Sequence, residues 1–186
     1  TRYCVHPAEG VARIEKVGGT KDPDLDRIGE LEPDLVLLNR EENRREDAEA
    51  LRAMGITCHS SDPRTVPEAV ATVRDLGTVL DRERAADDLA LAIEEAQDQV
   101  ARASSESAPV TFAYLIWRKP WMTANHDTYI HDLLTRAGGR NVFASREDRY
   151  PEIDEGDLET ANPDLVLLSS EPFPFSESHA NELARA

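Results

Sequence analysis

Aromatic residues and cysteines are scarce in this chain of 186 residues. Its two tryptophans, four tyrosines and four phenylalanines make up 5% of the sequence, and Cys4 and Cys58 are its only cysteines. Hydrophobic residues still reach 40% and are grouped in short runs, which is typical of a globular protein and not of a disordered one. Two cysteines do not decide the compartment, although one disulfide between them would fit an exported protein.

Positive charge and long apolar runs are also lacking. Lysine and arginine together number 21 against 37 acidic residues, for a net charge of −16. The electrostatic repulsion from this negative charge opposes binding to nucleic acid or to an anionic membrane surface. No apolar run approaches the ~20 residues of a membrane-spanning helix, and residues 1–4 do not resemble a secretory leader. We therefore expect no nucleic-acid partner and no direct binding to a bilayer.

Sequence motifs of catalysis are absent as well. The chain has no Gly-x-Ser-x-Gly, no phosphate-binding glycine loop and no Cys-x-x-Cys. Its histidines show no metal-ligand spacing, because even His126 and His131 are five residues apart and do not share one helical face. The sequence predicts no catalytic residue and no metal site. An α/β enzyme with a duplicated fold is the weaker alternative, because it would need cysteine or histidine ligands.

A duplicated segment dominates what is present. Residues 33–38, Pro-Asp-Leu-Val-Leu-Leu, recur without change as residues 163–168. Each copy has a double glycine before it and a glutamate after it, namely Gly18-Gly19 with Glu41 and Gly138-Gly139 with Glu171. The copies lie too far apart in the chain for a solenoid repeat. They predict two lobes built on one plan, with a ligand site between them.

Hydrophobic periodicity predicts alternating helices and strands. Helices are expected over 25–31, 44–54, 66–80, 81–105, 128–134 and from Leu158, and strands over 35–38, 56–59, 110–116, 142–143 and 163–168. The longest helix carries one apolar stripe, made of Ala85, Leu89, Ala92, Ile93, Ala96 and Val100. Runs such as 35–38 lack polar alternation and favour parallel strands covered on both faces. Residues 1–15 and 117–121 are expected to be irregular.

Candidate ligand contacts follow the predicted strands. Ligands of open α/β sheets bind beyond the carboxyl ends of the strands, which here are followed by residues 39–43, 60–62, 117–121 and 171–175. Trp117 and Trp121 stand close together in one of these segments. Either they form a hydrophobic wall for a flat organic ligand, or they cover a core.

Several motifs together resemble a known family. Gly18-Gly19-Thr20, the Pro-Asp-Leu-Val repeat, the segment 117–123 (Trp-Arg-Lys-Pro-Trp-Met-Thr) and Tyr150-Pro151-Glu152 are similar to solute-binding proteins of ABC importers. The nearest class has a rigid helical backbone and includes receptors for vitamin B12, haem and iron–siderophore complexes. Its cobalamin-binding branch is the best match.

The resemblance implies an α/β fold of two Rossmann-like lobes with mainly parallel sheets, joined by one long helix, with the ligand in the cleft between them. The lobes would be residues 1–80 and 107–186, with the backbone helix at 81–106. Both lobes are expected to be truncated at the outer ends. The protein would work in the periplasm or outside the cell, either free or held by a lipid anchor.

The resemblance also implies site residues and partners. Ligand contacts would come from Tyr3, Cys4, Asn39, Arg40, Glu41, Trp117, Trp121, Tyr150, Phe173 and Phe175. Carboxylates that dock on arginines of the membrane permease would be Glu42, Glu46, Glu155 and Asp157. No intrinsic cofactor is implied, because cobalamin or another metal chelate would be the transported ligand. A haem or ferric-siderophore cargo is the alternative, and Arg118, Arg140 and Tyr150 favour it.

Overall fold

The computed structural model describes residues 1–105 and 107–184. The chain divides into two compact units, Thr1–Asp62 (unit 1) and Pro63–Ala186 (unit 2). This division falls after Asp62, earlier than the predicted lobe boundary at residue 80. The predicted lobe boundary stays a prediction. The predicted end of the backbone helix at Glu106 and the last two residues of the predicted second lobe lie outside the described residues.

Unit 1 alternates helices with two parallel strands. Its elements are α1 (Ala8–Val11), α2 (Leu25–Glu30), β1 (Val36–Asn39), α3 (Arg45–Ala53) and β2 (Cys58–Ser61). β1 and β2 pair in parallel, with Val36 opposite Cys58 and Asn39 opposite Ser61. The predicted α/β class and the order of helix, strand, helix and strand are confirmed.

Three details of unit 1 differ from expectation. α1 forms within residues 1–15, which were expected to be irregular. β2 begins at Cys58, two residues later than predicted. The expectation that the repeated strand is covered on both faces is wrong for β1, because Leu37 is 49% exposed. Cys4 and Cys58 are free thiols and are not bonded to each other.

Unit 2 is built around one long strand. Its elements are α4 (Val66–Val79), α5 (Glu83–Ser104), β3 (Val110–Trp117), β4 (Trp121–Thr123), α6 (Tyr129–Arg136), β5 (Gly139–Asn141), β6 (Glu152–Ile153), α7 (Glu155–Ala161), β7 (Leu165–Leu168) and α8 (Glu177–Leu183). β3 pairs in parallel with β5 and β7 and antiparallel with β4, which pairs antiparallel with β6. A core of Ala113, Leu115, Phe143 and Ile153 forms against this sheet. Among the described residues, no helix is both long and apolar enough to cross a membrane.

Several predicted elements of unit 2 need correction. Residues 117–121 are not a free loop, because Trp117 ends β3 and Trp121 begins β4. The short strand lies at Gly139–Asn141 and not at 142–143. α7 begins at Glu155 and not at Leu158, because the Asp154 side chain and Asp157 form a capping box there.

Helices α4 and α5 meet at a glycine. A Cβ atom added at Gly77 would lie 2.3 Å from the Cβ of Ala86, far inside the contact distance of two carbon atoms. Ala86 and Ala90 are the buried residues of α5. The predicted apolar stripe is not the buried one, because Leu89 is 53% and Val100 43% exposed. Small residues therefore set the separation of these two helices.

The Gly77→Ala variant should lower the free energy of unfolding by about 1–2 kcal/mol, because the added methyl group forces α4 away from α5. Gly29→Ala is the matched control, since the nearest atom to a Cβ there is the Met54 sulfur at 3.6 Å, an ordinary contact. That control should be at least as stable as the wild type. Denaturant unfolding followed by circular dichroism compares them. A Gly77→Ala protein as stable as the wild type would contradict this account of the packing.

Asp164, in the second copy of the repeat, ties β7 to β3. Its Oδ2 accepts hydrogen bonds from the backbone N–H of Thr111 at 2.8 Å and from the Thr111 hydroxyl at 2.6 Å. These bonds, the hydroxyl bond first, lower the pKa of the Asp164 carboxyl. Its counterpart Asp34 makes no hydrogen bond within the described ranges. The aspartate of the repeated motif therefore bonds to a neighbouring strand in unit 2 but not in unit 1.

Asp164→Asn should lower the thermal unfolding midpoint, whereas Asp34→Asn should leave it unchanged. Because the folded-state pKa of Asp164 is lowered, its contribution is present above the unfolded pKa of roughly 4 and is lost as the pH falls through the folded value. The difference between wild type and Asp164→Asn should therefore shrink below about pH 4. Calorimetry over a pH series measures this difference between the unfolding midpoints. Equal effects of the two substitutions would show that the Thr111 contact does not stabilise the fold.

Candidate functional site

Five rings gather in unit 2, beyond the carboxyl ends of β3 and β7. These strands are parallel and in register up to Leu115 opposite Leu168, so the segments that follow them emerge at one edge of the sheet. The aromatic cluster consists of Trp117, Trp121, Phe173, Phe175 and His179. It combines the β3–β4 hairpin, the segment after β7 and helix α8.

Phe173, Phe175 and His179 contact one another, and each tryptophan contacts one of the two phenylalanines. Trp121 and Phe175 lie nearly parallel, with an interplanar angle of 6° and centroids 6.0 Å apart. Phe173 is tilted against Phe175 at 4.7 Å, and Trp117 meets Phe173 edge-on at 5.6 Å. The ring of His179 is perpendicular to Phe175 at 5.6 Å. These are favourable aromatic geometries, so the cluster holds its shape without a ligand.

Burial separates the cluster into a base and an outer face. Trp121 and Phe175 pack against the core formed by Ala113, Leu115 and their neighbours. Trp117 is 40% exposed. The two interpretations of the tryptophans therefore apply to different residues: Trp121 covers a core, and Trp117 offers an apolar surface.

An ion pair fastens α8 to the hairpin. Arg118 donates to Glu182 Oε2 at 2.6 Å, and its guanidinium carbon lies 5.5 Å from the centroid of the Trp121 ring. The Arg118 hydrogen bond lowers the pKa of the Glu182 carboxyl. Arg118 is only 19% exposed, so its charge is used mainly within the protein. It holds the segment that supplies His179 beside the β3–β4 hairpin.

Tyr150 lines a cavity of unit 2 of about 570 Å³, together with Met122, Arg146 and Glu152. The guanidinium carbon of Arg149 is 5.6 Å from the centroid of the Tyr150 ring. None of the described residues lining this cavity belongs to the aromatic cluster. Tyr150 therefore lines a cavity to which the aromatic cluster contributes no described residue.

In unit 1, Tyr3 and Cys4 are exposed residues of the N-terminal segment. Tyr3 is 65% exposed, and the guanidinium carbon of Arg2 lies 5.8 Å from its ring centroid. The Cys4 carbonyl accepts a hydrogen bond from Lys16 at 2.9 Å. Hydrogen bonding by Thr1 lowers the pKa of the Cys4 thiol. Their assignment as ligand contacts stays a prediction.

The segment after β1 is held by its own side chains. The Asn39 side-chain oxygen accepts from the N–H of Glu41 at 2.9 Å, and the Asn39 N–H donates to Asn43 Oδ1 at 2.9 Å. Arg40 reaches Asp62 at 3.3 Å but remains 74% exposed. Asn39 and Arg40 line a cavity of about 650 Å³ in unit 1, and Glu41 is not among the described residues that line it.

Comparison with known proteins identifies the family. The sequence pattern of the family described as periplasmic binding protein matches residues 1–183. The chain belongs to this periplasmic binding protein family. The predicted family is thereby confirmed, and it is described by binding and not by catalysis. The predicted lack of catalytic activity remains a prediction.

Relatives and solved structures support the same fold. A protein of Photorhabdus laumondii named vitamin B12-binding protein is 26% identical over 171 residues, covering 90% of this chain and 60% of the relative. The chain thus spans about 60% of the length of the curated relatives it matches. The periplasmic vitamin B12 binding protein of Vibrio cholerae matches with a TM-score of 0.82 at 20% identity, covering 97% of this chain and 68% of that one. S. aureus IsdE, solved in complex with heme, matches with a TM-score of 0.80 at 18% identity, covering 100% and 72%. At such identities the structural likeness shows the fold alone.

The predicted docking carboxylates of this family member differ in their surroundings. Glu42 accepts a hydrogen bond from the Thr20 hydroxyl at 3.3 Å. Asp157 accepts from the Asp154 N–H at 3.1 Å and pairs with Arg146, and these bonds lower the pKa of its carboxyl. Glu46 and Glu155 are exposed first-turn residues of α3 and α7 with no hydrogen bond or ion pair among the described residues. They are the two carboxylates left free for a partner.

The sequence did not predict every residue of the aromatic cluster or of the unit 1 cavity. It did not include His179 in the aromatic cluster or Arg44, Arg45 and Arg52 in the cavity of unit 1. The arginines could have been found, because they recur on the helix that follows β1 in a chain otherwise rich in acid. No local pattern marks His179. Among the residues described, no group of three or more His, Cys, Asp or Glu could hold a metal ion.

Proposed function

We propose that the chain belongs to an extracytoplasmic solute-binding protein of an ABC importer, and that its solute is a corrinoid such as vitamin B12. The observation that carries this proposal is the aromatic cluster, whose inner rings are fixed on the core while Trp117 remains exposed. A rigid apolar surface of this kind suits a large, flat metal complex. The relative named vitamin B12-binding protein supports the same cargo.

The metal complex is cargo in this proposal and not a cofactor. The protein captures the complex, carries it to a membrane permease and performs no chemistry on it. Its family assignment supports action outside the cytoplasmic membrane. The net charge of −16 is compatible with that role, because it disfavours adsorption to anionic lipids.

Haem is the second candidate. Its macrocycle would also stack on exposed aromatic rings, and the likeness to S. aureus IsdE, solved in complex with heme, supports it. The ferric-siderophore candidate is weaker than the sequence suggested, because Arg118 is already paired with Glu182. Haem is therefore the stronger of the two alternatives to a corrinoid.

Docking on the permease would use Glu46 and Glu155. Both carboxylates are exposed and without hydrogen bonds in the described part of the chain, whereas Asp157 is occupied by its capping box and by Arg146. Surface carboxylates that meet arginines on a partner chiefly increase the rate of encounter and fix the register.

Reversing the charge at both docking positions, Glu46→Arg with Glu155→Arg, should reduce ligand-dependent ATP hydrolysis by the reconstituted transporter about tenfold or more. Ligand affinity of the isolated full-length protein should not change. Glu9→Arg with Glu95→Arg, at two exposed carboxylates without an ion pair in the described part of the chain, is the charge-matched control. Unchanged ATP hydrolysis by the first pair of variants would refute the docking assignment.

Visible absorbance titration of the full-length protein with cyanocobalamin, haem and a ferric siderophore identifies the cargo. Trp117→Ala should weaken binding of the true ligand roughly tenfold, because one stacked ring is lost. Tyr129→Ala, an aromatic residue of similar exposure on α6, is the control and should bind within about twofold of the wild type. Failure of the full-length protein to bind cobalamin would refute the leading proposal.

A further inference from the structure

The cavity of about 650 Å³ in unit 1 is lined by more arginines than carboxylates, in contrast to the chain as a whole, which is acidic. It lies at the carboxyl ends of β1 and β2, where Asn39 and Ser61 face each other in the parallel register. Arg40, Arg44, Arg45 and Arg52 line it, and Asp62 is its only acidic lining residue among those described. Four arginines and one aspartate line this pocket, whereas the whole chain has a net charge of −16. The pocket therefore differs from the acidic composition of the chain.

Helix α3 shapes one wall of the pocket. Arg45, Ala48 and Arg52 are spaced by three and four residues, which places them on one helical face. The buried methyl group of Ala48 leaves the space between the two arginines open. Arg52 bends toward β2, where its Nη2 lies 3.4 Å from the Ser60 hydroxyl. Arg45, Arg52 and Ser60 thus line one cavity.

The start of α3 adds to the positive potential. Arg44 is its N-cap and provides no side-chain cap for the first-turn N–H groups. Unsatisfied N–H groups at a helix start carry partial positive charge and favour an anion. Arg44 and Arg45 both line the pocket, so this helix start lies at its wall.

The existing ion pairs leave two of the pocket's arginines able to bind an anion. Arg44 is held by the buried Asp47 through contacts of 3.0 and 3.1 Å. Arg45 pairs with Glu49, but both side chains are more than half exposed, and such pairs contribute little. Arg52 has no carboxylate partner in the described part of the chain. An incoming anion therefore meets at least two guanidinium groups that it can engage without breaking a buried pair.

We infer that this pocket of unit 1 binds an oxyanion, either a phosphate or a carboxylate. Guanidinium groups form paired, charge-assisted hydrogen bonds with both chemistries, and the Ser60 hydroxyl, which accepts from Arg52, can donate its own proton. The anion is either free or a substituent of the transported solute; only this second source rests on the proposed function. A corrinoid with a nucleotide loop offers a phosphodiester, and haem offers two carboxylates.

Isothermal titration of the full-length protein with inorganic phosphate tests the inference. Wild type should show saturable binding, and Arg45→Gln with Arg52→Gln should weaken it about tenfold or more. This pair avoids Arg44, whose loss would strand the buried Asp47. The control with the same charge change, Arg13→Gln with Arg84→Gln, lies outside the pocket and should stay within about twofold of the wild type. Equal unfolding midpoints of all three proteins show that the fold is intact.

A second titration identifies the source of the anion. If the anion is part of a corrinoid, the double variant should lose affinity for cobalamin but not for cobinamide, which lacks the phosphodiester. If it is part of haem, affinity should fall for haem but not for its dimethyl ester. Phosphate binding without cobalamin or haem binding would uphold the pocket and refute the proposed function. No saturable phosphate binding, or equal phosphate binding by wild type and the double variant, would overturn the inference whatever the cargo.

Discussion

Parallel pairing of β3 with β7 is the constraint on which the aromatic surface of unit 2 depends. The two strands stay in register up to Leu115 and Leu168, so the residues that follow this pair emerge side by side. The bonds between Asp164 and Thr111 fasten the opposite ends of the same pair. With both ends of the pairing held, the rings after each strand pack on one another before any ligand arrives. Preorganisation of this kind lowers the entropic cost of binding.

The two units use the same position of the fold for different chemistry. In both, the segments after parallel strands carry the candidate contacts, as expected for open α/β sheets. Unit 2 places aromatic rings there, with Trp117 exposed. Unit 1 places arginines there, around a pocket that opens beside α3. The two units therefore offer different chemistry at corresponding strand ends.

Small residues and ion pairs shape the remainder of unit 2. Gly77 lets α4 approach α5 closely, and this pair buries alanines instead of the larger residues of the same helix. Arg118 and Glu182 attach α8 to the hairpin between β3 and β4. Because Arg118 is paired with Glu182, an arginine beside the aromatic cluster is not automatically available to bind a ligand. They also distinguish Glu46 and Glu155, which the described structure leaves free, from the bonded Asp157.

Sequence alone determined the fold class and most elements, because hydrophobic runs and caps such as Thr128 are local signals. The resemblance of several motifs implied the family, which the match over residues 1–183 confirms. It also placed Trp117 and Trp121 at a strand end. Only the tertiary structure decided that Trp121 supports the core, that Tyr150 lines another cavity, and that the arginines of α3 surround a pocket. Those outcomes depend on which face of each element meets its neighbours. Strand pairing over long sequence separations determines the first two outcomes, and no local pattern records them. The spacing of the arginines on α3 is a local pattern, but the pocket forms only because β2 pairs beside β1.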